Sequence, residues 1–87
     1  MFPSELDGAK VLYYTPKGKY GALRFPNGDI VDRFRYLAIC KYTDDEQYYL
    51  FFCDESYEVI NDRLANTVEA CMKLAASHEE DIFWIKK

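Results

Sequence analysis

Short apolar segments separated by turn residues fill the first two thirds of the chain, and this pattern predicts β-strands. The first ten residues lack the pattern, so we expect an irregular arm there. Residues 11–14 predict a short strand. The turn around Pro16 and Gly18 ends it, because proline cannot donate a ladder hydrogen bond and glycine permits a positive φ.

Two hairpins are predicted next. Residues 21–25 and 29–33 flank a turn that contains Asn-Gly, the strongest short-range signal for a hairpin. Residues 36–42 and 47–53 flank a polar turn, and both arms are rich in Tyr, Phe, Ile and Leu without Gly or Pro. Residues 57–60 predict either another short strand or the entry to a loop.

The second hairpin has two apolar faces. A register centred on its turn places Cys40 opposite Tyr49, and opposed residues share a face. One face suits packing under a helix through Leu37, Ile39, Leu50 and Phe52. The other face holds Tyr36, Ala38, Cys40, Tyr42, Tyr49, Phe51 and Cys53. A half-solvated sheet alternates apolar with polar residues. The second face therefore needs a cover, which is either the chain itself, as a barrel wall or the N-terminal arm, or a partner.

One helix is predicted to begin at Asn66, with Glu69 three residues later as in a capping box. Its apolar face, at helical spacing, consists of Val68, Cys71, Met72 and Ala75. Leu64 extends that face if the helix starts a turn earlier, and His78 in the last turn suits the helix dipole. Residues 82–85 predict a final strand.

This order of elements predicts a single α+β domain over residues 1–87. We expect an antiparallel sheet of about five to six strands, made of two hairpins and a C-terminal strand, with one helix packed on one face. The alternative is a small SH3-like barrel built from the two hairpins, with the helix appended.

Composition narrows the class of protein. The net charge is −4, and neither a membrane-spanning apolar run nor a secretory signal is visible. Three cysteines, an odd count without CxxC spacing, predict free and buried thiols in a cytoplasmic protein, with no metal and no cofactor. No serine lies in Gly-x-Ser-x-Gly, and the sequence has no P-loop, so we expect no enzymatic activity.

Charge divides the chain into two halves. Residues 1–43 hold seven Lys and Arg against four acids, whereas residues 44–87 hold four against eleven. The basic side chains gather around the first hairpin, at Lys17, Lys19, Arg24, Arg33 and Arg35. The aromatic residues among them are Tyr20, Phe25 and Phe34. Such a hairpin suits stacking of single-stranded bases. The acidic second half argues against nucleic acid, because it repels phosphates.

The C-terminal half carries an aromatic strand and an acidic turn over residues 48–62, then an acid-flanked helix and Trp84. In this respect it resembles small bacterial proteins of unknown function, which are similar in size and acidity to the immunity proteins that neutralise bacterial toxins. The resemblance implies a small cytoplasmic bacterial protein and carries no catalytic residue.

The leading functional hypothesis is a non-catalytic module that binds another protein or a second copy of itself. Its predicted contact residues, called the tyrosine face below, are Tyr36, Tyr42, Tyr49 and Phe51. In one version, an immunity or inhibitor role, acidic side chains steer the domain onto a basic toxin. The alternative hypothesis is an SH3-like nucleic-acid-binding protein that uses the basic hairpin at residues 17–35.

Overall fold

The computed structural model describes residues 1–77 and 81–87. In these ranges the chain forms the predicted α+β fold, with eight strands and one helix. The elements are β1 (Glu5–Leu6), β2 (Ala9–Tyr14), β3 (Ala22–Arg24), β4 (Ile30–Arg33), β5 (Tyr36–Lys41), β6 (Tyr48–Cys53), β7 (Val59–Ala65), α1 (Val68–Ala76) and β8 (Ile85–Lys86).

Six strands form one curled antiparallel sheet, a half-barrel against which the helix packs. The order is β1-β2-β5-β6-β7, and β8 pairs with β2. The predicted number of strands in the sheet is therefore confirmed, but the membership differs. Within the described residues, β3 and β4 pair only with each other. This hairpin thus stands apart from the main sheet instead of forming the wall that an SH3-like barrel requires.

The N-terminal residues are not an irregular arm, so that expectation was wrong. Glu5 pairs with Lys10 and Leu6 with Ala9 across a two-residue turn. The turn residues, Asp7 and Gly8, have φ values of 49° and 82°. Asp-Gly is a preferred pair for such a turn because both central residues need a positive φ. The Asp-Gly pair was the only local signal for this β1–β2 turn, because β1 is too short to show an apolar pattern.

The second hairpin has the predicted register. Cys40 lies opposite Tyr49, and Ala38 opposite Phe51. The residues predicted to lie under the helix are fully buried, and they form a helix-side core together with two residues of α1. Its central members are Leu37, Ile39, Leu50, Phe52, Cys71 and Ala75.

The start of the helix differs from the prediction. Thr67, rather than Asn66, is the N-cap, and its Oγ1 accepts a hydrogen bond from the Ala70 N–H at 3.0 Å. Asn66 instead accepts a hydrogen bond from Gln47 at 3.2 Å. Pairing of β7 with β6 continues to Ala65, which holds Leu64 in a strand, 46% exposed. Leu64 therefore does not extend the apolar face of the helix.

The end of the chain also differs in detail. The C-cap of α1 is Ser77, and His78 lies outside the described residues. The last strand is Ile85–Lys86 rather than residues 82–85, and it pairs with Tyr13 and Tyr14. Ile82 and Trp84 pack against the helix-side core, so their apolar character reflects packing and not strand pairing.

The N-cap leads to a test of the helix boundary. Thr67→Ala should lower the free energy of unfolding by about 1 kcal/mol, because the Ala70 N–H loses its acceptor. Asn66→Ala is the matched control and should lower the free energy of unfolding by less, because the Asn66 side chain makes one exposed hydrogen bond. Urea denaturation of the two variants measures the difference. A larger loss for Asn66→Ala would contradict this boundary.

Candidate protein-binding surfaces

The tyrosine face is packed against the N-terminal strands. Phe51 is only 2% exposed and lies in a second core cluster on the side of the sheet opposite the helix. Its other buried members are Phe2, Leu6, Ala9, Val11, Ala38, Cys40 and Cys53. The chain itself, through its N-terminal strands, therefore covers the middle of this face.

Tyr36 sits in a group of aromatic rings at one end of this cluster. The Phe2 ring stacks on Tyr14 with centroids 4.6 Å apart and meets Tyr36 and Tyr57 edge-on at 5.7 and 5.2 Å. A hydrogen bond with Tyr57, together with burial, raises the pKa of Tyr36 to about 12. Tyr36 is thus committed to contacts within the chain.

Tyr42 and Tyr49 lie at the other end and are half-buried. Their rings meet edge-on with centroids 5.3 Å apart. Tyr42 Oη donates to the Asp7 carbonyl at 2.9 Å, and Tyr49 Oη donates to Asp45 at 3.2 Å. Desolvation and the adjacent Asp45 raise the pKa of Tyr49. Both hydroxyls are therefore engaged internally. A role in partner binding stays a prediction for these residues.

Four of the five predicted basic residues converge on one groove of about 450 Å³ beside the β3–β4 hairpin. We call it the basic groove. Its charged lining consists of Lys19, Arg24, Arg33 and Arg35. The remaining lining residues are Gly21, Ala22 and the buried Phe34.

Local backbone bonds hold the groove in shape. The Phe34 N–H donates to the Gly21 carbonyl at 2.9 Å, and the Tyr20 N–H donates to the Phe34 carbonyl at 3.1 Å. Ala22 pairs with Arg33 across the hairpin. Arg24 Nη1 donates to the Gly28 carbonyl at 2.7 Å, which fixes this guanidinium near the turn. The basic side chains thus project from a hydrogen-bonded frame.

Lys17 is separate from the other four. It forms an ion pair with Glu55 and does not line the basic groove. The Lys17 ammonium, through a hydrogen bond and its charge, lowers the pKa of Glu55. Glu55 lies 38 residues from Lys17 in sequence, so no local sequence pattern predicts this ion pair.

The hairpin also exposes apolar side chains. Phe25 is 55% exposed, and Ile30 and Val31 are exposed on β4. Tyr20 and Phe34, which the sequence suggested as stacking rings, are buried. Sequence reasoning missed Ile30 and Val31 as surface residues, because the apolar pair resembles an ordinary strand interior.

No family model, curated protein or solved structure matches this chain. The resemblance to small bacterial proteins therefore stays a prediction, and geometry alone carries the functional argument.

Two features are absent from the residues that the structure describes. No group of three or more His, Cys, Asp or Glu side chains within residues 1–77 and 81–87 is arranged to hold a metal ion. The one helix in that part of the chain is not long and apolar enough to cross a bilayer.

The three cysteines are free and buried, as predicted. Burial raises the pKa of Cys53 to about 12 and that of Cys71 to about 11, and it also raises the pKa of Cys40. Buried thiols of this kind are poor nucleophiles, because only the thiolate reacts.

These thiols make stability depend on pH. The unfolded chain releases thiol protons above about pH 8.5, whereas the native state retains them. The contribution of the buried thiols to the free energy of unfolding is therefore complete below that pH. It is lost as the pH rises toward the native pKa values. We expect urea denaturation to show lower stability at about pH 9.5 than at about pH 7.5. Cys71→Ala should show a smaller decrease, and a flat profile for the unaltered protein would contradict the burial of these thiols.

Proposed function

We propose that this domain is a non-catalytic module that binds another protein, and that the β3–β4 hairpin is its recognition surface. The observation that carries the proposal is the combination of the basic groove and exposed apolar side chains on one hairpin that does not pair with the main sheet. The tyrosine face exposes less surface to a partner, because its residues are buried or half-buried against the chain itself.

The chemistry of the hairpin resembles that of protein interfaces. Arg and aromatic residues are enriched in them, and a few such residues carry most of the binding energy. Phe25 supplies an exposed ring next to Arg24 in sequence, and Ile30 pairs with Arg24 across the hairpin. Two exposed apolar side chains, Phe25 and Ile30, therefore lie beside Arg24 near the turn of the hairpin.

Nucleic-acid binding through the same hairpin has weaker support. Strand-binding sites stack successive bases on several exposed rings. Of the three aromatic residues between Lys19 and Arg35, two are buried and only Phe25 is exposed. Asp29 and Asp32 also belong to this hairpin and would repel a continuous phosphate backbone.

Site-specific photo-crosslinking in the cells that produce the protein tests the proposal. A photoreactive phenylalanine analogue replaces Phe25 in one variant and Leu64, an exposed apolar residue of β7, in the control. We expect the Phe25 variant to crosslink to a discrete protein that mass spectrometry identifies. The product should be lost when Arg33→Glu is added. Equal crosslinking from both positions, or none from Phe25, would contradict a recognition role for the hairpin.

A further inference from the structure

Resting on the proposed function, we infer that the basic groove binds an acidic peptide segment of the partner, in which carboxylates alternate with apolar side chains. The groove accepts the carboxylates, and the exposed apolar side chains of the hairpin contact the apolar residues between them. The partner is thus defined by its chemistry, a short Glu- or Asp-rich segment with Leu-, Ile- or Phe-type neighbours.

The first argument is uncompensated charge. Four cationic side chains line a space of about 450 Å³, and none of the acidic residues that the structure describes lines it. Within the described ranges none of these four side chains forms an ion pair, although Arg33 and Arg35 lie beside Asp32 and Glu55 in a neighbouring depression. Like charges gathered in one place repel each other. A bound anion would relieve that repulsion, and this is a physical reason for the cluster beyond surface solvation.

The second argument concerns the type of cation. Three of the four are arginines, whose planar guanidinium presents paired donors that match the two oxygens of a carboxylate. Phosphate oxygens match these paired donors equally well, so charge alone does not distinguish a carboxylate ligand from a phosphate ligand.

The apolar side chains next to the groove distinguish an acidic peptide from phosphate as its ligand. Phe25, Ile30 and Val31 are exposed on the same hairpin. Arg33 and Arg35 line both the basic groove and a second depression of about 290 Å³, which Ile30 and Val31 also line. A peptide can place a carboxylate on these arginines and an apolar side chain beside them. Inorganic phosphate has no apolar group to place there.

The second depression also contains acids. Asp32 and Glu55 line it together with Arg33 and Arg35. A nucleic-acid strand that passed from the basic groove into this depression would bring phosphates against both carboxylates. A peptide with alternating acidic and apolar residues can keep its carboxylates in the basic groove and place its apolar side chains against Ile30 and Val31, which line the same depression.

The test measures binding of a labelled synthetic peptide of alternating Glu and Leu to the intact protein by fluorescence anisotropy. At low salt we expect its affinity to exceed that of the matched Gln-and-Leu peptide by about tenfold or more, and to fall as salt is raised. Arg33→Glu with Arg35→Glu should weaken binding by about tenfold or more. Arg63→Glu with Lys73→Glu reverses two exposed charges outside the groove and should leave the affinity within about twofold of the original.

Two further probes define the results that would overturn the inference. An oligothymidylate that bound more tightly than the acidic peptide would identify nucleic acid as the ligand. Tripolyphosphate that bound as tightly as the peptide would show that apolar contacts play no part. Absence of peptide binding would also refute the inference. If the Phe25 crosslink persisted in that case, the proposed function would stand, but the partner would not be bound through an acidic peptide. Loss of both the crosslink and peptide binding would refute both the proposed function and this inference.

Discussion

Phe2→Ala should lower the free energy of unfolding by about 3–5 kcal/mol. Phe2 is only 5% exposed and belongs to the core cluster that covers the tyrosine face. Its ring contacts those of Tyr14, Tyr36 and Tyr57. Truncation leaves a cavity among these rings and uncovers one end of the face. Urea denaturation followed by circular dichroism measures the loss.

Phe25→Ala is the matched control for that experiment. Phe25 is mostly exposed, so the same truncation should change stability by no more than about 0.5 kcal/mol. If Phe2→Ala were as mild as this control, the N-terminal residues would not cover the tyrosine face. Tyr36, Tyr42 and Tyr49 would then become the better candidates for partner binding.

Phe34→Ala should also cost about 3–5 kcal/mol, and it should weaken the basic groove as well as the fold. Phe34 is 2% exposed, and its ring lies 4.8 Å from that of Phe52 in the helix-side core. Its backbone bonds to Gly21 and Tyr20 at the base of the hairpin. Loss of the ring should therefore loosen the connection between the hairpin and the main sheet.

Hydrogen exchange separates this effect from a general loss of stability. In Phe34→Ala we expect faster amide exchange in β3 and β4 than in β5 and β6, and weaker binding of the acidic peptide. Val31→Ala, at an exposed position on the same hairpin, should leave stability within about 0.5 kcal/mol of the original. Unchanged exchange in the hairpin of Phe34→Ala would contradict the role of this ring as its anchor.

The second hairpin shows what the sequence could predict. Its register followed from the polar turn, and the pairs Cys40–Tyr49 and Ala38–Phe51 confirm it. The helix-side residues Leu37 and Ile39 are buried as predicted, because side chains alternate along a strand and this register turns both toward the helix, whereas a one-residue shift would turn them to the opposite face.

The cover of the opposite face could not be predicted in the same way. Phe2 lies 34 positions before Tyr36, and nothing local in the sequence brings them together. The Asp7-Gly8 turn, which reverses the chain from β1 into β2, was readable from its residue types. The pairing of β2 with β5, which places β1 and β2 beside the second hairpin, depends on tertiary packing.

The basic groove is an intermediate case. The sequence identified all five basic residues, but not that Lys17 pairs with Glu55 while the other four converge. It also suggested Tyr20 and Phe34 as surface rings, whereas both are buried. Burial in this segment depends on how the separate hairpin docks onto the helix-side core, which periodicity does not reveal.

The position of the recognition surface can be measured directly by backbone amide chemical shifts during titration with the acidic peptide. The largest changes are expected at Lys19, Arg24, Arg33 and their neighbours around the basic groove. Small changes are expected at Tyr42 and Tyr49, whose hydroxyls are bonded within the chain. Changes that were largest at these two tyrosines, with the hairpin unaffected, would contradict the assignment of the hairpin as the surface that binds the partner.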